Sequence, residues 1–162
     1  MILAVHGLAG SFVARAFPSH PLWGLFFAVA SHFLLDALPH WEYALGNICS
    51  DKKNRSLFSR SSLIDLAKII LDGCFGVLLP LLLFFPHTRN ELFIVLMGSV
   101  GGMLPDVVEF LYWKLNWNIL GYFSRFHRSC HHTSRSSVTV AGLAVRCALV
   151  VGFFSIFYFV LY

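Results

Sequence analysis

The chain has 162 residues, of which 57% are hydrophobic and only 12% charged, and its mean hydropathy is +0.72. Soluble domains carry about 25% charged and 45–50% apolar residues, so a water-soluble fold of this size has nowhere to hide so much apolar surface. The composition excludes a separate soluble domain. It leaves a single all-α polytopic membrane domain over residues 1–162, a bundle with room for four to five transmembrane helices of about 20 residues each.

The first apolar run, near 2–17, starts Met1-Ile2-Leu3 without a basic n-region or a small-residue cleavage site, so it is expected to belong to the mature chain. It is short and carries His6, Gly7 and Gly10, which suits either a span or a half-spanning element packed on its neighbours. Four further runs follow near 21–38, 61–86, 91–113 and 138–162. They are separated by Pro18, Pro21, Pro39, Pro86 and the polar stretches 45–60 and 123–137, which are read as solvated loops. The sequence Gly98-Ser-Val-Gly-Gly102 suits close helix packing ahead of a turn at Leu104-Pro-Asp-Val-Val-Glu109.

The formal charge of +4 and the pI near 9.0 come largely from two loops. One holds Lys52, Lys53, Arg55 and Arg60, the other Lys114, Arg125, Arg128 and Arg135. A pair of helices separates them, so they share a side, and an excess of basic residues marks that side as cytoplasmic. No nucleic-acid partner is expected. Cys49, Cys74, Cys130 and Cys147 are scattered without a C-x-x-C pair, so neither a disulfide framework nor a thiolate metal site is indicated. The aromatic cluster from Phe153 to Tyr162 suits a lipid-facing surface.

The chemistry is carried by carboxylates. Of the eight acidic residues, Asp36, Asp65, Asp72, Asp106 and Glu109 lie in or at the ends of apolar runs. A carboxylate in hydrocarbon costs about 2.5–3.5 kcal/mol on insertion scales, so it is retained against a partner, a cavity or a metal. Lys68 and Arg146 are the only bases deep in the last three runs, and histidines supply the missing partners. His32 and Asp36 share a helical face, with His40 just past Pro39; Asp65 and Asp72 share another; Asp106 and Glu109 are three apart; His127 and His131 are four apart, with His132 adjacent.

With the loops oriented as above, all these groups and His6 fall at the cytoplasmic end, while His20 and His87 fall at the other. Asp72 would sit about 16 Å along its helix at 1.5 Å per residue, inside a polar or metal-filled pocket. The expected ligands are therefore His6, His32, Asp36, His40, Asp72, Asp106, Glu109, His127 and His131, with Asp36 and Asp106 as the catalytic carboxylates. A histidine and carboxylate set without cysteine suits one or two divalent ions, zinc first, with manganese or iron as alternatives. Such an ion supports metal-assisted hydrolysis.

The strings Val5-His6-Gly7-Leu8-Ala9-Gly10, Ser31-His32-Phe33-Leu34-Leu35-Asp36-Ala37-Leu38-Pro39-His40-Trp41, Asp72-x-x-x-Gly76, Leu104-Pro105-Asp106 and the His127-to-His132 cluster resemble bacterial membrane-bound metal-dependent hydrolase-like proteins, among them the LexA-regulated inner-membrane hydrolase family. The resemblance implies a helical membrane fold in the bacterial inner membrane, a zinc-type site and a hydrolase activity. A more distant similarity to zinc-dependent phospholipase C implies a lipid phosphoester as substrate. Two other functions stay open: a metal or proton transporter, and a non-catalytic scaffold or partner subunit stabilised by its metal. Against transport, residues 73–90 are nearly all Leu, Phe, Val and Pro and offer no polar path onward.

Overall fold

The computed structural model describes residues 3–38, 45, 59–115 and 117–130. Among them every regular element is helical: α1 (Leu3–Ala14), α2 (Pro21–Ala37), α3 (Arg60–Phe84), α4 (Arg89–Leu115), a single 3-10 turn at Asn118–Leu120, and α5 (Gly121–Cys130). The expected fifth apolar run at 138–162 lies outside the described residues, as do His40, His131, His132 and most of the first basic loop.

Local chemistry sets the helix ends. Pro21 opens α2, where its fixed φ suits the first turn and its missing N–H is not needed. Ser59 caps α3, its hydroxyl accepting from the Ser62 N–H at 3.1 Å. Thr88 accepts from the Glu91 N–H at 3.1 Å while the Glu91 carboxylate reaches back to the His87 N–H at 2.9 Å, which is a capping box in front of α4. At the end of α3, Phe85 takes a left-handed conformation, φ 43° and ψ 61°, that bulky residues rarely adopt. Its N–H closes on the Leu81 carbonyl, and Pro86 then prevents any continuation.

The hub is the shortest of the long elements. α1 has 12 residues, hence a length of about 18 Å against the roughly 30 Å of a hydrocarbon core. It packs against α2, α3 and α4. Glycines make this possible, because a Cβ on Gly7 would strike the Gly76 carbonyl of α3, one on Gly10 the Gly98 carbonyl of α4, and one on Gly102 the His6 carbonyl of α1. The seam between α1 and α4 also carries a hydroxyl contact, Ser11 Oγ lying 2.6 Å from Ser99 Oγ and 2.9 Å from the Val95 carbonyl.

Two helices, α3 with 25 residues and α4 with 27, are long and apolar enough to cross a membrane. Only 11% of the apolar window of α3 is buried, so Leu71, Leu82 and Leu83 point away from the bundle. That is unlike the core helix of a soluble protein, whose apolar face is covered. α2 is apolar but has 17 residues.

Two local expectations are corrected. Leu104 to Glu109 forms no turn: α4 continues as a helix through Pro105, which has no N–H to give the Gly101 carbonyl. The polar stretch after 120 is no loop at its start, since residues 121–130 form α5.

Candidate metal centre

Helix directions bring the polar residues to one end of the bundle. His32 and Asp36 sit on the last turns of α2, Asp106 and Glu109 in the second half of α4, His6 on the second turn of α1 and His127 on α5. Four of them converge on one point. His32 Nε2, Asp36 Oδ2 and His127 Nε2 form a triangle with sides of 3.1, 3.1 and 3.0 Å, and Asp106 Oδ1 stands 3.7 Å from both imidazole nitrogens. Ligands about 2.0–2.1 Å from a tetrahedral ion are about 3.3 Å apart, and these separations straddle that value. The four residues could hold a metal ion, with their ligand atoms all within 4.8 Å of one another.

The chemistry of each donor fits the same purpose. His32 Nδ1 lies 2.7 Å from the Gly102 carbonyl, which can only accept, so Nδ1 carries the proton and the Nε2 lone pair faces the shared point. Both carboxylate oxygens of Asp106 are buried without a hydrogen-bond partner among the described residues. A buried carboxylate left in that state is costly unless a cation or protonated group completes it. His32, Asp36, Asp106 and His127 are each at most 2% exposed, so the group is shut off from bulk solvent.

His6 and Glu109 flank the group. His6 Nε2 lies 3.2 Å from the other Asp36 oxygen, Oδ1, and its ring is 4.1 Å from that of His32, centroid to centroid. Glu109 Oε2 stands 3.7 Å from His127 Nδ1, on the side of the ring away from the shared point. Its other oxygen accepts from Trp113 Nε1 at 2.6 Å, Ser124 Oγ at 3.0 Å and Arg128 Nε at 3.1 Å. Glu109 thereby fastens α5 to α4 and aims the imidazole. Burial alone would lower the His127 pKa, but the hydrogen bond to Asp36, the Glu109 carboxylate 3.7 Å from Nδ1 and the charges of Asp106 and Asp36 win, raising it to about 9.

Asp72 is placed elsewhere. Its Oδ2 accepts from the Leu3 N–H at 2.7 Å and its Oδ1 from the Ala4 N–H at 3.2 Å, so a carboxylate on α3 caps the first turn of α1. Asp65 is fully buried and pairs with Lys68 at 3.1 Å. The positions of His40 and His131 lie outside the described residues. Sequence reasoning passed over the Gly102 carbonyl and the Trp113, Ser124 and Arg128 group around Glu109. Only the Glu109–Trp113 spacing of four was there to be read.

No family model matches the chain, and no curated protein or solved structure matches it either. Two imidazoles and two carboxylates, buried and convergent, lie at one end of the helical bundle.

Proposed function

We propose that this chain is an integral membrane protein of four to five spanning helices in the bacterial inner membrane, and that it is a metal-dependent hydrolase of lipid phosphoesters. The observation that carries this reading is the convergence of His32, Asp36, Asp106 and His127. Two carboxylates and two neutral imidazoles carry a charge of −2, which a divalent ion cancels. That balance matters where the dielectric is low and an uncompensated charge is expensive. Zinc fits the donors first, with manganese or iron as alternatives. Held by His32, Asp36, Asp106 and His127, an ion of this type would supply a Lewis acid for a phosphoryl oxygen and would lower the pKa of water enough to provide hydroxide at neutral pH. His6, whose Nε2 lies 3.2 Å from Asp36 Oδ1, is the titratable neighbour suited to accept and return the proton, while Glu109, behind the His127 ring, orients that imidazole.

Complete burial of the donors favours a second reading, in which four protein ligands close the coordination sphere and the ion holds the bundle together without catalysis. One experiment separates them. Protein purified in detergent is assayed for metal content and for phosphodiester turnover, wild type beside Asp36→Asn and the His32→Ala, Asp36→Ala double variant. Hydrolysis predicts bound metal and turnover, both lost in the variants. Metal without turnover of any phospholipid headgroup supports the structural role, and absence of metal from the wild type refutes both.

A further inference from the structure

Beyond Leu115 the chain leaves α4 and turns at once through Asn118–Leu120 into α5. The side chains this stretch turns outward are large and apolar: Trp117 is 57% exposed, Ile119 79%, Tyr122 77% and Phe126 55%. Inward it turns Ser124 and His127, both buried. Arg128 is pinned to Glu109 and lies 5.1 Å over the Trp113 ring, so it belongs to the inner contact. Arg125 is on the outer side, its guanidinium 4.7 Å above the Tyr122 ring.

Such a face does not suit water, where contiguous aromatic surface is uncommon. It does not suit the hydrocarbon core either, since a ten-residue helix spans only about 15 Å and this one carries Arg125 and Arg128. Tryptophan, tyrosine and arginine together fit the layer between the two, where amphipathic rings lie at headgroup level and basic side chains meet lipid phosphate. The stretch also begins where a helix long enough to span comes to its end.

We propose that Trp117–Phe126 is an interfacial anchor, bedded among the lipid headgroups at the end of the bundle that holds the four-donor group, with Arg125 supplying the charge that meets lipid phosphate. This rests on the reading of the chain as a membrane protein. It adds that the bilayer presses on the helix carrying His127, so lipid and metal ion hold the same element in place.

The test uses the full chain, with its four cysteines replaced by serine, in phosphatidylcholine vesicles containing phosphatidylglycerol. An environment-sensitive fluorophore is attached at Tyr122→Cys or Phe126→Cys and, separately, at Leu78→Cys on α3. The expected result is blue-shifted emission at 122 and 126, quenched more by a nitroxide near the headgroup than by one deep in the acyl chain, with the opposite order at 78. Water-like emission at 122 and 126 beside a deeply quenched 78 overturns the anchor alone. Blue-shifted emission at 122 and 126 that no lipid nitroxide quenches means a protein covers the face, which also overturns it. An unquenched 78 refutes the membrane reading, and the anchor with it.

Discussion

Asp72 and Asp106 look alike in the sequence, each a carboxylate within an apolar run with a second acidic residue on its face, and differ in what surrounds them. The oxygens of Asp72 take up the Leu3 and Ala4 N–H groups, whereas those of Asp106 face His32 and His127 with no hydrogen bond of their own among the described residues. Asp72→Asn keeps an acceptor for α1 and loses only part of a cap, so it is expected to cost about 1 kcal/mol with the metal content unchanged. Asp106→Asn removes a charged donor and is expected to release the ion. Elemental analysis and thermal unfolding of the two variants, side by side, check this; the reverse pattern would refute the assignment. The sequence showed His32 and Asp36 clearly, because their spacing of four fixes a shared face. It could not show Asp72 as a cap, since the groups it caps are 69 and 68 residues away along the chain. His127 gives the pH dependence. Its pKa, raised to about 9 from 6.5, belongs to the folded state, so in protein stripped of metal its contribution to stability is complete below about pH 6.5 and lost as the pH rises through about 9. A metal ion requires the neutral imidazole and must displace that proton, so binding tightens over the same window. The difference in melting temperature between metal-loaded and chelated protein is therefore expected to widen from pH 6 to pH 9. A difference that narrows would show that His127 is not a ligand.

Among the elements, α1 depends most on residues that have no side chain. Gly102 serves twice: its missing Cβ admits the His6 carbonyl, and its own carbonyl orients His32. Gly102→Ala is expected to destabilise by about 1–3 kcal/mol, the usual range for overpacking, and to weaken metal binding as α1 and α4 separate. Gly73→Ala is the matched control. A Cβ there meets only Leu3 Cδ1 at 3.7 Å, an ordinary contact, and the greater helix propensity of alanine should leave stability equal or slightly higher. Unfolding in detergent measures both, and equal losses would remove the special role of the seam. The long apolar runs predicted α2, α3 and α4 within a few residues at each end, because that many apolar side chains in succession have few alternatives to a helix. α5 was missed for the opposite reason. It has only ten residues, with five polar side chains from Ser124 to Ser129 broken by Phe126 alone, too few to distinguish an amphipathic helix from a loop, and its inner face is defined by Glu109 on another element. Pro105 after glycines reads as a turn, but α4 continues through it as a helix packed against α1 and α2.

For the whole molecule, the contacts at the centre fix the directions of the helices. His6 near the start of α1 meets Asp36 at the end of α2, and Asp36 converges with Asp106 late in α4. Asp72, at the middle of α3, meets the first residues of α1, and Phe84 at the end of α3 meets Phe12 near the end of α1. Residues 38, 59 and 115 therefore share one end of the bundle, while the turns near 18–20 and 85–88 lie at the other, where Arg15 stacks 4.4 Å over Phe84. In a membrane these two ends face opposite compartments. The end with the four convergent donors also adjoins both basic loops, and basic loops are retained in the cytoplasm. Reporter fusions at residues 50 and 130 are therefore expected to give the cytoplasmic signal, and fusions at 19 and 87 the opposite one. The helix directions and the charge argument are independent of each other, which makes the outcomes separable. Fusions at 50 and 130 that agree with each other but read external would keep the bundle and the shared centre and overturn only the orientation. Fusions at 50 and 130 that disagree would mean that α3 and α4 do not cross the membrane as a pair, and the four donors would then have to be brought together by a fold in which this end of the bundle is not a membrane face.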